Sequence, residues 1–196
     1  MTGAEMTTAI GAGLTPDQAQ RTFRVVLDAL ARPGLASRLP DVPGLPAALL
    51  PALALADLDT PACVLADRDA GRWADVLATA TGAPVVGPDT ARLVAALRPP
   101  RPAELAAVPR GTAAAPERGA LVALTVPALD GGAPLRLAGP GVDGSVTVAP
   151  SGLLPGLLAA RAEAVAAFPA GIDLLLVTHD GLVLGLPRGT RIEEGD

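Results

Sequence analysis

The chain has 196 residues, of which 50% are hydrophobic and 18% are charged, and its net charge at pH 7 is -5. This length fits one domain with a substantial core, while Pro and Gly interrupt every apolar run before the ~18 residues that a membrane span needs. An acidic balance with only two Phe and one Trp argues against a nucleic-acid groove, which needs a basic stripe and stacking aromatic rings.

The missing residue types narrow the chemistry further. All 15 basic residues are Arg, so a Schiff base between Lys and pyridoxal phosphate is excluded. One His (His179) and one Cys (Cys63) cannot build a common zinc site or an intrachain disulfide. We therefore expect no cofactor and no metal, although an all-carboxylate magnesium site stays open in principle. The N-terminal residues show no signal peptide, which favours a cytoplasmic protein.

The first half of the chain is predicted to be mainly helical. Residues 1–14 are small and featureless, and we expect a flexible tail. Thr15-Pro16-Asp17-Gln18 predicts a helix start, with Thr15 as N-cap and Gln18 completing a capping box. Pro33-Gly34 ends this helix. Apolar residues at i, i+3, i+4 and i+7 predict its buried stripe, namely Phe23, Val26, Leu27 and Leu30.

Shorter elements are expected to follow this first helix. Asp69 is predicted to cap one of the helices, and Pro51 to kink or restart another. The expected order is a strand over 35–39, a buried helix over 45–58, a strand over 63–66, a helix over 70–80, an element near 91–97 and a stiff connector over 98–102. A loop over 111–119 is then followed by strands over 120–126, 135–138 and 146–149 and by a helix over 153–167.

The stretch from 168 to 190 predicts a hairpin at the heart of the fold. Residues 172–177 form an unbroken apolar run that is typical of a strand buried on both faces. Asp180-Gly181 is the dipeptide that a type I′ hairpin turn prefers, and a second apolar run covers 182–186. The whole pattern predicts an α/β fold, a single three-layer domain over 15–191 whose mixed sheet is covered by helices, followed by a C-terminal tail at 192–196.

A series of short motifs carries a resemblance to a known family. They are Gly111-Thr112, PERGA (116–120), LRLAGPG (135–141), FPAGID (168–173) and LPRGT (186–190), preceded by Phe23-Arg24, Pro33-Gly34 and LALADLDTP (53–61). No single motif is specific, but their order and spacing resemble PhnH, a subunit family of the bacterial carbon–phosphorus lyase core complex. The resemblance covers roughly residues 15–191.

The resemblance implies a role in the catabolism of organic phosphonates. PhnH subunits act with PhnG, PhnI and PhnL to form alpha-D-ribose 1-methylphosphonate 5-triphosphate from ATP and methylphosphonate, and PhnJ later cleaves the carbon–phosphorus bond. The resemblance also implies a fold like that of pyridoxal-phosphate-dependent transferases without the cofactor. It further implies a homodimer that joins the larger complex, with no established catalytic residue of its own.

Several residues are candidates for contacts with an anion, such as a phosphonate or nucleotide, or with a partner. They are Arg24, Asp59, Thr112, Glu117, Arg136, Asp173 and Arg188. Arg24 has the geometry to hold a phosphate, but a surface ion pair is the commoner role. Asp59, with Asp57, offers a carboxylate pair for general-base chemistry or for binding Mg²⁺, although Asp before Thr-Pro favours a turn.

The remaining candidates lie in the second half. Thr112 offers backbone N–H groups in a loop, and Glu117 precedes a strand, where ligand groups of α/β sheets often lie. Arg136 projects away from its leucine neighbours and needs a carboxylate or phosphate partner. Asp173 and Arg188 favour a salt bridge over a shared anion site.

Two functional hypotheses of different classes remain. The first is a non-catalytic subunit that dimerises and docks on partner subunits. The second is an enzyme subunit that contributes acid–base or phosphate-binding groups to a shared active site. A chain without Lys, Tyr or Asn and with one exposed turn histidine has few catalytic groups, which favours the first hypothesis. A free-standing binding protein for a small anion is a third, more remote option.

Overall fold

The computed structural model describes residues 13–195, so most of the tail predicted at 1–14 lies outside the described residues. The helices are α1 (Pro16–Ala31), α2 (Leu50–Leu55), α3 (Ala70–Thr81), α4 (Pro102–Ala107) and α5 (Leu157–Val165), and a 3-10 turn covers Ala47–Leu49. The strands are β1 (Ser37–Arg38), β2 (Ala62–Leu65), β3 (Leu93–Ala96), β4 (Arg110–Thr112), β5 (Ala115–Gly119), β6 (Leu121–Val126), β7 (Gly131–Ala138), β8 (Val146–Pro150), β9 (Asp173–Thr178), β10 (Leu182–Leu186) and β11 (Arg191–Glu194).

A six-stranded mixed sheet with the order β1-β10-β9-β6-β3-β2 forms the centre of the fold. Strands β2, β3, β6 and β9 run parallel, and β10 and β1 continue the sheet antiparallel. Strand β9 is buried on both faces, because Leu174 and Leu176 belong to one core and Leu175 and Val177 to the other. The prediction that the first strand of the hairpin lies inside the sheet is confirmed.

Helices cover both faces of this sheet. Helices α1, α2 and α3 pack on one face, where the 3-10 turn also lies. Helices α4 and α5 pack on the other, together with a three-stranded sheet of order β11-β7-β8. The predicted α/β class, with a mixed sheet between helices, is confirmed. Strand β11 pairs with β7 as far as Glu194, so regular structure includes part of the segment that was predicted as a tail at 192–196.

Helix α1 begins as its sequence predicts but buries only part of the predicted stripe. Thr15 and Gln18 form the capping box, with the Gln18 N–H donating to Thr15 Oγ1 (3.3 Å) and the Thr15 N–H to Gln18 Oε1 (2.9 Å). Of the predicted stripe, Val26 is buried and Leu30 packs partly buried against the core, as predicted. Phe23, however, is 44% and Leu27 51% exposed, and Thr22 and Ala29 are buried in their place.

A close approach between backbones explains this rotation of the buried face. A Cβ on Gly185 of β10 would lie 2.1 Å from the Ala29 carbonyl oxygen. Because α1 packs through its small residues at this distance, the wider side chains Phe23 and Leu27 turn to the surface. Helix periodicity alone predicts that Phe23 and Leu27 are buried. The contact with Gly185, which is distant in the sequence, places other residues of α1 against the sheet.

Three local predictions were wrong. Residues 111–119 are not a loop, because β4 and β5 form a hairpin there. The β9–β10 connection is not a type I′ turn, since Gly181 has a positive φ (86°) but Asp180 does not; instead, the Leu182 N–H donates to Thr178 Oγ1 (2.9 Å) and closes a longer connection. Asp69 precedes α3 with φ 56° and makes no capping bond through its side chain.

Candidate functional site

Asp173 and Arg188 form the best-connected ion pair of the described chain. Asp173 begins β9, and Arg188 follows the end of β10, so the hairpin brings them together. Arg188 Nη2 lies 2.6 Å from Asp173 Oδ2, Nε lies 3.2 Å from both carboxylate oxygens, and the Arg188 backbone N–H donates to Oδ1 at 2.7 Å. The side chain of Arg188 is only 15% exposed and that of Asp173 only 21% exposed. The predicted salt bridge therefore closes the hairpin.

Arg188 also ties this hairpin to the separate two-stranded sheet of β4 and β5. Its Nη1 donates to the carbonyl oxygen of Pro116 on β5 (2.6 Å) and to that of Pro169 (3.4 Å). Gly119 leaves room for the guanidinium, because a Cβ there would lie 2.9 Å from Nη1 and 2.1 Å from the Gly171 carbonyl oxygen. These contacts give Arg188 an anchoring role.

The other predicted site residues lie apart from this pair. Thr112 is exposed, and its hydroxyl accepts from the Ala115 N–H (3.1 Å) within the β4–β5 turn. Glu117 is exposed on β5, where its backbone carbonyl accepts from Arg92 Nη2 (2.9 Å). Arg136 is exposed on β7 and donates from Nε to Ser145 Oγ (3.1 Å), with Nη1 3.5 Å from Glu193 Oε2.

Arg24 and Asp59 lie on the first half of the chain. Arg24 is exposed on α1, and its guanidinium makes no hydrogen bond or ion pair to another of residues 13–195. Asp59 is exposed in a turn that Asp57 holds, because Asp57 Oδ1 accepts from the Asp59 N–H (3.0 Å) and from Thr60 Oγ1 (2.6 Å). The Thr60 hydroxyl bond, with the Asp59 N–H, lowers the pKa of Asp57. This geometry supports the turn interpretation.

A buried arginine on α5, Arg161, was missed by the sequence interpretation. It is 3% exposed, and its Nη2 donates to the carbonyl oxygens of Pro187 (2.7 Å) and Thr190 (3.0 Å). Burial lowers the pKa of Arg161 to about 10, although the negative charge of Asp173 acts in the opposite direction and raises it. The signal was its position four residues after Leu157, on the face of α5 that also buries Ala160 and Ala164.

Arg161 lines an open cavity of about 690 Å³ between α5 and the residues that follow β10. Arg188 and Thr190 line the same cavity, and Val165 and Phe168 contribute apolar wall. The predicted Asp173–Arg188 pair thus lies beside a cavity whose buried cation the sequence did not reveal. A cleft with a buried guanidinium and apolar walls is suited to binding an organic anion.

A second cluster lies at the carboxyl ends of the parallel strands. Arg98 follows β3 and donates to both carboxylate oxygens of Glu104 (2.6 and 2.8 Å), while its Nε lies 3.0 Å from Asp67 Oδ1 after β2. Arg98 is the main reason that the pKa of Glu104 falls to about 2. Residues 98–102 are thus held by ion pairs and lead into α4.

A cavity of about 460 Å³ adjoins Arg98 and includes Thr125, Thr178 and the exposed His179. Ligands of open α/β sheets commonly bind at this edge. Two carboxylates, those of Asp67 and Glu104, face Arg98, and Arg68 also lines the cavity, so the charges at this edge cancel and leave a polar but nearly neutral surface. Cys63 is buried, as predicted, at 4% exposure. Within residues 13–195, no group of three or more His, Cys, Asp or Glu residues is placed to hold a metal ion.

Comparison with known proteins decides the family. The model of the family described as "Bacterial phosphonate metabolism protein (PhnH)" matches residues 12–193. The chain belongs to the PhnH family. The resemblance predicted from the motifs is thereby confirmed. None of the helices described above combines the length and the apolar composition of a membrane-spanning segment.

Two curated relatives match nearly the whole chain. One is the alpha-D-ribose 1-methylphosphonate 5-triphosphate synthase subunit PhnH of Rhizobium meliloti (strain 1021), which is 36% identical over 190 residues and covers 90% of both chains. The other is a putative C-P lyase subunit protein HtxG of Stutzerimonas stutzeri, 37% identical over 182 residues that cover 88% of this chain and 85% of the relative. Both relatives are named as subunits.

Proposed function

We propose that this chain is a subunit of the carbon–phosphorus lyase core complex in phosphonate catabolism. In this role it is needed, with PhnG, PhnI and PhnL, to form alpha-D-ribose 1-methylphosphonate 5-triphosphate from ATP and methylphosphonate. The observation that carries the proposal is the match to the Rhizobium meliloti synthase subunit over 90% of both chains. The proposal includes a cytoplasmic homodimer that joins the larger assembly with PhnJ.

The contribution that we propose is structural and not catalytic. The carboxylates that are candidates for a catalytic role already have structural partners. Both oxygens of Asp173 accept hydrogen bonds from Arg188, and Asp57 accepts hydrogen bonds within its own turn. Phe23 and Leu27, on consecutive turns of α1, are 44% and 51% exposed. Adjacent exposed apolar side chains are common where a subunit meets a partner.

The proposed relationship to pyridoxal-phosphate-dependent transferases concerns the fold alone. It is supported by the motif resemblance and by the mixed sheet with helices on both faces. A chain without lysine lacks the amine that holds pyridoxal phosphate as a Schiff base. The proposed relationship is therefore to a member of that fold that works without the cofactor.

A second candidate is an enzyme subunit that supplies phosphate-binding groups to a shared active site. The observation in its favour is the buried guanidinium of Arg161 in an open cavity. Exposed Glu117 and Arg136 are the residues whose replacement separates the two roles, because neither supports the core. Loss of turnover by Glu117→Ala or Arg136→Ala in an intact complex favours the enzyme role; loss of assembly favours the structural one.

Genetic complementation tests the proposed function directly. A bacterium that lacks its own PhnH gene but retains the rest of the pathway is supplied with this chain and grown on methylphosphonate as the sole phosphorus source. We expect growth to be restored, and growth on inorganic phosphate to be unaffected by the gene. Failure to grow with soluble, folded chain present in the cells contradicts the proposal.

A further inference from the structure

The Arg161 side chain is a buried cation without a carboxylate beside it. It is 3% exposed, and no Asp or Glu oxygen of residues 13–195 lies within ion-pair distance of its guanidinium. The negative charge of Asp173 raises the pKa of Arg161, but the Asp173 carboxylate is bonded to Arg188. Removing a guanidinium from water is costly unless an opposite charge accompanies it. The site therefore lacks a negative charge that a ligand can supply.

Hydrogen-bond donors remain at this site after the protein's own acceptors are used. Arg161 Nη2 donates to the Pro187 and Thr190 carbonyl oxygens, whereas Nη1 makes no bond to a described residue. The Nε atom of Arg161 and the hydroxyl of Thr190, itself 3% exposed, are buried without a partner in the described chain. Both residues line the same cavity of about 690 Å³, a size typical of sites for small organic molecules.

The charges around the cavity favour a ligand with one negative charge. Arg188 is balanced by Asp173, and Glu193 lies 3.5 Å from Arg136. The other charged residues that line the cavity, Arg191 and Glu194, are both exposed and carry opposite charges, which cancel. One uncompensated positive charge, that of Arg161, is left at depth.

The walls favour an apolar body for that ligand. Leu158, Val165 and Ile192 line the cavity beside Arg161, and Phe168 lines it while being 68% exposed. An aromatic ring left at the rim of a cleft offers a contact for an apolar group. We propose that this cavity binds a small organic monoanion, an alkyl carboxylate or alkylphosphonate, with its oxyanion on Arg161 and its apolar body against Val165 and Phe168.

This inference rests on the side chains around α5 and does not depend on the proposed place in a complex. Burial lowers the pKa of Arg161, and a bound anion would offset that effect. The complementation experiment can succeed while ligand binding fails, or the reverse, so the two proposals are tested separately.

Binding of defined probes to the purified full-length chain tests the inference. Hexanoate and n-butylphosphonate are titrated by calorimetry or by NMR, with inorganic phosphate as a third probe that has the oxyanion but no apolar body. We expect saturable binding of at least one alkyl oxyanion, and at least about tenfold weaker binding of inorganic phosphate. Binding of only one alkyl probe identifies the head group that the site prefers.

Two variants and a matched control place the probe in the cavity. Arg161→Met removes the charge, and Ala162→Trp fills the cavity from an exposed position on α5 with Arg161 retained. Each is expected to weaken binding about tenfold or more. Ala166→Trp adds the same ring at an exposed position next to α5 that does not line the cavity, and binding should be unchanged.

The results that overturn the proposal are equally specific. No saturable binding of either alkyl probe at about 10 mM, or binding that Ala162→Trp leaves intact, excludes this cavity as the site. If inorganic phosphate binds as tightly as n-butylphosphonate, the apolar wall does not contribute to binding and the proposal fails. If Arg161→Met fails to fold, Ala162→Trp decides the outcome alone, because its position is at the surface.

Discussion

Arg98 and Glu104 join the end of β3 to the first turn of α4 through two hydrogen bonds of 2.6 and 2.8 Å, one to each carboxylate oxygen. Glu104 Oε2 also accepts from the Arg101 backbone N–H (2.7 Å), so one carboxylate holds both the strand end and the helix start. The sequence suggested only a stiff connector at 98–102. The proline-rich segment is in fact positioned by this carboxylate.

Glu104→Gln is expected to lower the free energy of unfolding at pH 7 by about 1–2 kcal/mol, after allowance for solvent screening. The pKa of Glu104 is lowered from 4.5 to about 2, chiefly by Arg98. Its contribution is therefore present above pH 4.5 and is lost as the pH falls towards 2. Urea unfolding from pH 7 to pH 2 should show the two proteins converging at the acid end. A difference that does not change with pH contradicts this role.

Asp173→Asn is expected to destabilise the protein by about 3 kcal/mol, because it leaves the largely buried guanidinium of Arg188 without its counter-charge. Urea unfolding at pH 7 measures the change. Asp17→Asn is the matched control, since the Asp17–Arg21 pair is 63% and 66% exposed and should contribute less than about 1 kcal/mol. Equal effects of the two substitutions would show that burial of the Asp173 pair is unimportant.

Gly185→Ala tests the close contact between β10 and α1. The new Cβ would lie 2.1 Å from the Ala29 carbonyl oxygen, so the helix must move. We expect a loss of about 1–3 kcal/mol in thermal or urea unfolding. Gly71→Ala, in α3 with no atom within 4 Å of the added Cβ, should be neutral or stabilising by up to about 1 kcal/mol. A harmless Gly185→Ala would refute the packing described for α1.

The face that α1 buries gives a second test of the same packing. Phe23 is 44% exposed and Val26 3% exposed. Phe23→Ser should therefore change the free energy of unfolding of the isolated chain by no more than about 1 kcal/mol, whereas Val26→Ala should cost about 2 kcal/mol. A larger loss for Phe23→Ser than for Val26→Ala would contradict the exposure of Phe23.

Cys63 should be unreactive in the folded protein. Burial, with the charges of Glu104 and Asp89, raises the pKa of its thiol to about 11, so the thiolate that reacts with disulfide reagents is scarce at pH 8. Labelling with a chromogenic disulfide at pH 8 should proceed only as the chain unfolds in urea. Rapid labelling of the native protein would contradict the burial of β2.

Local signals in the sequence predicted what local contacts decide. The capping box of Thr15 and Gln18 lies within one helical turn, and Asp173 and Arg188 lie at the two ends of one hairpin. Both were predictable because each depends on neighbours along the chain. The sheet and its helices followed from apolar runs of the right length.

Features that depend on distant residues were not predictable in this way. The buried face of α1 is set by Gly185, far along the chain. The spacing of Arg161 from Leu157 places it on the buried face of α5, but its partners, the carbonyl groups of Pro187 and Thr190, come from a segment that only the fold brings near. For the same reason the cavity beside α5 had no sequence signature. Spacing within an element does not show which partner the fold brings to it.

The most direct test of the central claim is co-expression with PhnG and PhnI counterparts from a bacterium that carries the pathway, followed by size-exclusion chromatography with light scattering. We expect the three chains to elute together at one stoichiometric mass, and this chain alone to elute as a homodimer. A stable species of this chain that ignores both partners would contradict its role as an assembly subunit.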